Sequence, residues 1–204
     1  MLHVRINLIT ADPFLLGDSI RYMESEVRPV LESQPGNLGA SLHLNPDLGV
    51  AIFESFWASS GALRNSESIV APRRKEAVQR AKGAVTVERY EVPVFEREAP
   101  SGARERVRLT RMDAEPSMVE DAIAWFGDTA VPWLADTEGF CSALLYVDWT
   151  SGRLISEIVW RDAQALAASQ NVSAAIRAAA VEAANCVIAA VEDYILVFSS
   201  ARPA

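Results

Sequence analysis

The pattern of apolar and polar positions predicts a strand, a helix, a hairpin, a second helix and a last strand in the first half of the chain. Residues 3–10 alternate in polarity, which is typical of a half-buried strand. Asp12 and Pro13 then provide a helix N-cap and a first-turn proline, and apolar residues recur at helical spacing up to Val27. The remaining elements are predicted at Leu38–Leu44 and Val50–Trp57 for the hairpin, Ser60–Lys82 for the second helix and Val85–Phe95 for the last strand.

The second half of the chain repeats this order. A constant shift of 103 positions aligns residues 4–95 with residues 107–198 without a gap, and about a quarter of the aligned residues are identical. The identical pairs are rich in turn and cap residues, among them Pro13/Pro116, Gly36/Gly139, Gly49/Gly152 and Trp57/Trp160. We therefore predict a first copy over residues 1–96, a polar linker over 97–105 and a second copy over 106–204.

The order βαββαβ is that of the ferredoxin-like unit, in which a four-stranded antiparallel sheet carries both helices on one face. The predicted strands carry apolar residues on both parities, for example Leu38, Ala40, Leu42 and Leu44 against Phe53 and Trp57, so the other face of the sheet also needs a cover. We predict the α+β class, with tandem ferredoxin-like βαββαβ repeats forming an intramolecular two-sheet α+β barrel. Pro29 and Pro132 lie inside the first helix of each copy and predict a kink or a break there.

Composition narrows the range of partners and compartments. The formal net charge is -8 and no block of Lys or Arg is present, which argues against nucleic acid and membrane surfaces as partners. Cys141 and Cys186 have no disulfide-framework or metal-site spacing. The N-terminus has no signal-peptide pattern, and charges interrupt the Ala-rich stretch 172–198. We therefore expect a cytoplasmic protein without a membrane span.

Three short motifs carry a family resemblance. They are Gln34-Pro35-Gly36, Trp57-Ala58-Ser59 at a strand end, and Glu88-Arg89-Tyr90-Glu91-Val92 in the last strand of the first copy. Together with the two βαββαβ copies, they resemble the antibiotic biosynthesis monooxygenase family. The resemblance implies a dimeric α+β barrel, here with its two units joined in one chain, and ligands bound between helices and sheet. It also implies a monooxygenase-like function, which in this family includes oxidation of polyphenols without metal or flavin.

The haem-degrading branch of that family carries an Asn on the first strand and a Trp and a His on the second helix. Asn7 matches the first of these residues, but Ser66 and Glu76 stand near the Trp and His positions. We therefore expect no haem, no other cofactor and no bound metal.

Asn7 and His43 are the candidate catalytic residues, because histidine is the natural base near neutral pH and Asn7 lies with Arg5 on one parity of the first strand. The alternatives are a structural role for His43 and a solvent-facing pair for Arg5 and Asn7. The candidate substrate-binding residues are aromatic and basic residues of helices and strands, with the alternative that they are core or helix-surface residues: Tyr22, Trp57, Arg73, Arg74, Trp125, Tyr146 and Trp160.

Glu54 and Glu157 occupy equivalent positions between apolar neighbours in the two copies. A carboxylate in such a place is costly unless it is paired. Arg5 and Arg108, which are also equivalent, are the predicted partners.

Two functions remain open from the sequence. The first is a cofactor-free oxygenase acting on a small aromatic or polyketide-like compound, with the better pocket in the first copy. The second is a non-catalytic barrel that binds a small ligand or a protein. In either case the expected partner is a small apolar or aromatic molecule, and the chain is expected to be a monomer with an internal pseudo-dimer or a further homo-oligomer.

Overall fold

A computed structural model describes residues 1–98 and 105–203. Its strands are β1 Leu2–Thr10, β2 Asn37–Asn45, β3 Val50–Trp57, β4 Ala84–Arg97, β5 Arg106–Asp113, β6 Phe140–Asp148, β7 Arg153–Trp160 and β8 Val187–Ser199. Its α-helices are α1 Leu16–Tyr22, α2 Arg28–Glu32, α3 Ser60–Asn65, α4 Glu67–Ala81, α5 Val119–Trp125, α6 Val131–Ala135, α7 Ala163–Ala168 and α8 Gln170–Ala184. Most of the predicted linker, namely residues 99–104, lies outside the described residues.

The strands are hydrogen-bonded in the order β1-β3-β2-β8-β5-β7-β6-β4, and the series closes into a barrel. The pairs β1/β3 and β2/β3, and their counterparts β5/β7 and β6/β7, are antiparallel. The predicted α+β fold, with two ferredoxin-like repeats forming a barrel, is confirmed. Among the helices in the described parts of the chain, none is both long and apolar enough to cross a membrane.

The chain divides into two compact units, and the boundaries between them lie within the long strands β4 and β8. Unit 1 comprises Met1–Tyr90 and Leu196–Ala204, and unit 2 comprises Glu91–Ile195. The copy boundaries drawn from the sequence repeat, at residues 96 and 106, stay a prediction.

In unit 1, the helices cover one face of the β1-β3-β2 sheet. Asn7 lies opposite Phe53 in the register of β1 and β3, and Ile6 lies opposite Glu54. Because neighbouring residues of a strand point to opposite faces, these two pairs lie on different sides of the sheet. The helix-covered side forms an apolar core that includes Ile9, Met23, Leu31, Phe53, Trp57 and Val70.

In unit 2, β5 pairs with β7 on one side and with β8 on the other, and β6 joins β7 to the end of β4. Helices α5 and α8 pack on each other above this sheet. The core beneath them includes Met112, Phe126, Leu145, Trp160 and Ile176. The same layers therefore recur in both units with different side chains.

The first helix of each unit contains a π-helical turn, at Met23–Val27 and at Phe126–Ala130. Each turn lies just before the segment that contains Pro29 or Pro132. A proline inside a helix lacks the N–H donor and clashes with the carbonyl four residues earlier, and the wider turn accommodates it. The kink or break expected from the sequence is thus a π turn between two short α-helices.

The second helix of each unit is divided at a serine, instead of running unbroken as the sequence pattern suggests. Ser66 separates α3 from α4, and Ser169 separates α7 from α8. The Ser66 hydroxyl donates to the carbonyl of Leu63, and Ser169 makes the equivalent bond to Leu166.

The hairpin between β2 and β3 closes on Gly49, which has a φ of +65°. A Cβ at this position would lie 2.0 Å from the carbonyl oxygen of Ala11. The same residue accepts a backbone hydrogen bond of 2.9 Å from Ala11, so the hairpin is fastened to the end of β1. Gly152 repeats this arrangement in unit 2, with its would-be Cβ 2.0 Å from Ala114 O.

Gly49→Ala should lower the free energy of unfolding by about 2 to 3 kcal/mol, because alanine combines an unfavourable left-handed conformation with a backbone clash. Gly61→Ala is the matched control, since that glycine lies in α3 and its Cβ would meet nothing closer than 3.7 Å. The control should leave stability unchanged or raise it slightly. Urea denaturation of both variants tests this, and equal midpoints would contradict it.

Candidate functional site

A cavity of about 40 Å³ lies between the helices and the sheet of unit 2. Its apolar lining includes Met112, Trp125, Phe126, Leu145 and Ile176. Its polar lining residues are Thr110, Ser156, Arg177 and Cys186. Apolar walls with a few polar groups are typical of small-molecule sites.

Unit 1 has a smaller cavity, of about 20 Å³, at the equivalent place. Asn7, Met23 and Arg74 line it, where Thr110, Phe126 and Arg177 line the cavity of unit 2; a shift of 103 relates each pair. A space of this size holds little more than one water molecule.

Hydrogen bonds hold Arg74 across the cavity of unit 1. Its guanidinium donates to Asn7 Oδ1 at 3.3 Å and is paired with Glu67. Asn7 in turn donates from Nδ2 to the carbonyl of Phe53 at 3.1 Å. Arg73, which also lines this cavity, donates to the carbonyl of Ile69 at 2.9 Å. Asn7, Arg73 and Arg74, which line this cavity, therefore each have a hydrogen-bond partner within the protein.

Glu67 is the carboxylate around which the arginines of unit 1 gather. Its Oε2 lies 3.0 Å from Arg5 Nη2 and 3.6 Å from Arg89 Nη2. Burial acts to raise the pKa of Glu67, but the hydrogen bond from Arg74 and the nearby positive charges outweigh it and hold the pKa below its ordinary value. Arg5 is fully buried, and desolvation lowers its pKa to about 10 against the opposing effect of Glu67.

Unit 2 pairs its buried arginine differently. Arg108 binds Asp193 with two hydrogen bonds, Nε to Oδ1 at 2.7 Å and Nη2 to Oδ2 at 2.8 Å. Arg177, the counterpart of Arg74, makes neither a hydrogen bond nor an ion pair with any residue in the described ranges. Burial and the positive charge of Arg108 lower the pKa of Arg177, and Asp193 partly opposes them.

The predicted pairs Glu54–Arg5 and Glu157–Arg108 are wrong. In the strand register, Glu54 lies opposite Ile6 and Glu157 lies opposite Leu109. Arg5 is next to Ile6 in β1, and Arg108 is next to Leu109 in β5. Because neighbouring residues of a strand point to opposite faces, each arginine points away from the face that carries the glutamate.

The two glutamates are buried and have hydroxyl donors within their own unit. Ser41 Oγ donates to Glu54 Oε2 at 2.7 Å, and Tyr146 donates to Glu157 Oε2 at 2.7 Å. His43 Nε2 lies 3.8 Å from Glu54 Oε2. These hydrogen bonds offset part of the cost of burying a carboxyl group.

The two candidate catalytic residues, Asn7 and His43, do not share a pocket. Asn7 faces the helices with Phe53, whereas His43 lies opposite Ile52 in the register and points to the other face with Glu54. His43 is fully buried. Of the two, Asn7 alone is among the cavity-lining residues of unit 1.

The seven candidate substrate-binding residues are spread over several places. Arg73 and Arg74 line the cavity of unit 1, and Trp125 lines that of unit 2. Tyr146 lies on the face away from the helices with Glu157, as described above. The remaining three lie apart from both cavities. Trp57 and Trp160 are fully buried at the ends of β3 and β7, and Trp57 also borders a separate open pocket of unit 1 beside Gly36 and Ser66. The ring of Tyr22 lies 4.5 Å from the Arg80 guanidinium.

Sequence reasoning missed most of the unit 2 cavity, including Met112, Phe126, Ile176 and Arg177. The available signal was the repeat itself, because the shift of 103 carries the candidate Arg74 onto Arg177.

Ser41→Ala should lower the free energy of unfolding by about 1 to 3 kcal/mol, because it removes a donor to the buried Glu54. Ser19→Ala is the matched control: Ser19 is equally buried, but its hydroxyl has no hydrogen-bond partner among residues 1–98 and 105–203. The control should be neutral or stabilising. Thermal unfolding of both variants gives the comparison, and a Ser41→Ala protein as stable as the parent would refute the role of this bond.

Comparisons with known proteins agree with this architecture. No protein-family model matches the chain. The uncharacterized protein Rv2557 of Mycobacterium tuberculosis is 27% identical over 185 residues, which cover 91% of this chain and 83% of that protein. The structure of an anthrone oxidase-like protein matches with a TM-score of 0.72 and 18% identity, covering 97% of this chain and 92% of the other.

A ferredoxin-fold protein from Listeria monocytogenes, described as related to antibiotic biosynthesis monooxygenases, matches with a TM-score of 0.58 and 12% identity, covering 96% and 94% of the two chains. Structural matches at identities this low show a shared fold and do not identify the activity. The chain therefore has the fold of the antibiotic biosynthesis monooxygenase-like proteins, present as two fused copies.

Proposed function

We propose that this protein binds a small, largely apolar molecule with an aromatic ring in the cavity of unit 2. The observation that carries the proposal is the composition of the cavity wall, in which Met112, Trp125 and Phe126 surround a space bordered by few polar groups. Aromatic and thioether side chains offer adaptable, polarisable contacts to a ring.

The space of about 40 Å³ holds a few water molecules, so a ring needs additional room. Trp125 is the side chain that can provide it, because it is only partly buried and lies in the wall of the cavity. Rotation of this side chain towards solvent would enlarge the cavity.

The proposal favours unit 2 over unit 1, whereas the sequence favoured the first copy because it contains Asn7 and His43. In unit 1, Arg74 is held in the cavity by Asn7 and Glu67, and a ligand would have to break these bonds. In unit 2, Arg177 borders the cavity without such bonds to the described residues, so a ligand meets less competition.

Cofactor-independent oxygenation is the second candidate function. It is favoured by the similarity in fold to the anthrone oxidase-like protein. The lining of the unit 2 cavity, among the described residues, includes no imidazole or carboxylate to act as a base. A substrate would therefore have to be bound as an anion, with Arg177 and the hydroxyls of Thr110 and Ser156 as the stabilising groups.

Phenol should shift the methyl resonance of Met112 in a saturable manner when the protein carries ¹³C-methyl methionine. The chain has four methionines: Met112 lines the unit 2 cavity, Met23 lines the unit 1 cavity, and Met1 and Met118 line neither. We expect a much smaller shift for Met23 and none for the other two. An unmoved Met112 at saturating phenol would contradict the proposal.

Ala180→Leu should abolish the Met112 response, because Ala180 lines the cavity and the larger side chain fills it. Ala77→Leu is the matched control at the equivalent position of unit 1 and should leave the Met112 titration unchanged.

Oxygen consumption in the presence of anthrone separates the two functions. Uptake above the spontaneous rate that Ala180→Leu abolishes would support oxygenation. Saturable phenol binding without such uptake would support a binding protein.

A further inference from the structure

Arg177 is a half-buried guanidinium at the edge of an apolar cavity, and among the described residues no carboxylate forms an ion pair with it. Asp193, the carboxylate whose charge acts on it, is already bound to Arg108. The counterpart of Arg177 in unit 1, Arg74, is neutralised by Glu67. At the position equivalent to Glu67, unit 2 has Gln170, which carries no charge. The repeat has thus kept the arginine and lost the acid that paired with it.

The other charges near Arg177 are already matched. Arg108 and Asp193, the two charges that act on Arg177, form a two-bond pair with each other. Arg177 is therefore the surplus positive charge in this part of unit 2, and a ligand with one negative charge would balance it. A dianion would leave an excess negative charge in a partly desolvated place.

We propose that Arg177 binds the carboxylate of a small aromatic acid whose ring occupies the unit 2 cavity. The planar guanidinium matches a carboxylate with two parallel hydrogen bonds, as Arg108 does with Asp193 in the same unit. The proposal rests on the ligand binding described above and names its chemical class.

The hydroxyls of Thr110 and Ser156 extend the polar side of the same cavity. Met112, Phe126 and Ile176 form the apolar side. A ligand with a single acidic group on an apolar ring has this division of polarity, whereas a sugar or a nucleotide does not.

The surroundings of Arg177 also favour an anion over a neutral analogue. Burial and the charge of Arg108 both disfavour the protonated guanidinium, as the lowered pKa of Arg177 shows. A bound carboxylate would offset these effects, while a neutral amide would leave them in place.

Benzoate and benzamide test the proposal, since they have nearly the same shape and differ in charge. Titrated against the Met112 methyl resonance at neutral pH, benzoate should bind about ten-fold more tightly than benzamide. Arg177→Gln should remove this preference and leave the benzamide affinity nearly unchanged. Arg153→Gln, which removes an exposed arginine of the same unit, should keep the preference.

The outcomes separate the two proposals. Equal affinities for benzoate and benzamide in the parent protein, or a preference that persists in Arg177→Gln, would overturn the role of Arg177 and leave ligand binding in place. No Met112 response to benzoate, benzamide or phenol would overturn both. The comparison of the two ligands in the parent protein does not depend on the folding of any variant.

Discussion

A guanidinium buried on the first strand of each unit has to be neutralised, and the choice of its carboxylate partner shapes the space beside it. Arg5 forms an ion pair with Glu67 at the start of α4, and Glu67 also pairs with Arg74. Arg108 takes Asp193 from β8 instead. A buried charge without a partner would cost several kcal/mol, so one of these solutions is required in each unit. The difference between the cavities follows from which solution was adopted.

In unit 1 the acid is Glu67 of α4, which pairs with both Arg5 and Arg74. In unit 2 the acid is Asp193 of β8, which pairs with Arg108 and forms no ion pair with Arg177. Arg177 then remains beside an apolar wall in which Phe126 and Ile176 replace Met23 and Arg73 of the other unit. Two copies of one fold have therefore diverged into a cavity whose arginine is held by Asn7 and Glu67 and a cavity whose arginine is available to a ligand.

The order of elements could be predicted from the sequence because strands, caps and turns are local: the hairpin closed by Gly49 and the 3₁₀ turn that Asp12 caps just before α1 are examples. The internal sequence repeat also predicted that the fold is present twice. The pairing of Glu54 with Arg5 was wrong because it depends on the register between β1 and β3, which are separated by about 40 residues. The actual donor, Ser41, lies directly opposite Glu54 in the β2/β3 hairpin. Asn7 and His43 were chosen by residue type, and the same non-local register decides that they face opposite sides.

Arg177 is unfavourable for the stability of the folded state. A half-buried cation without a partner contributes little to the native state, and a neutral side chain of similar length would fill the same place at lower cost. Residues that break a local rule without a compensating contact are concentrated at functional sites, because binding requires groups left unsatisfied by the protein itself. The carboxylate that completes Arg74 within unit 1 would, in unit 2, come from the ligand.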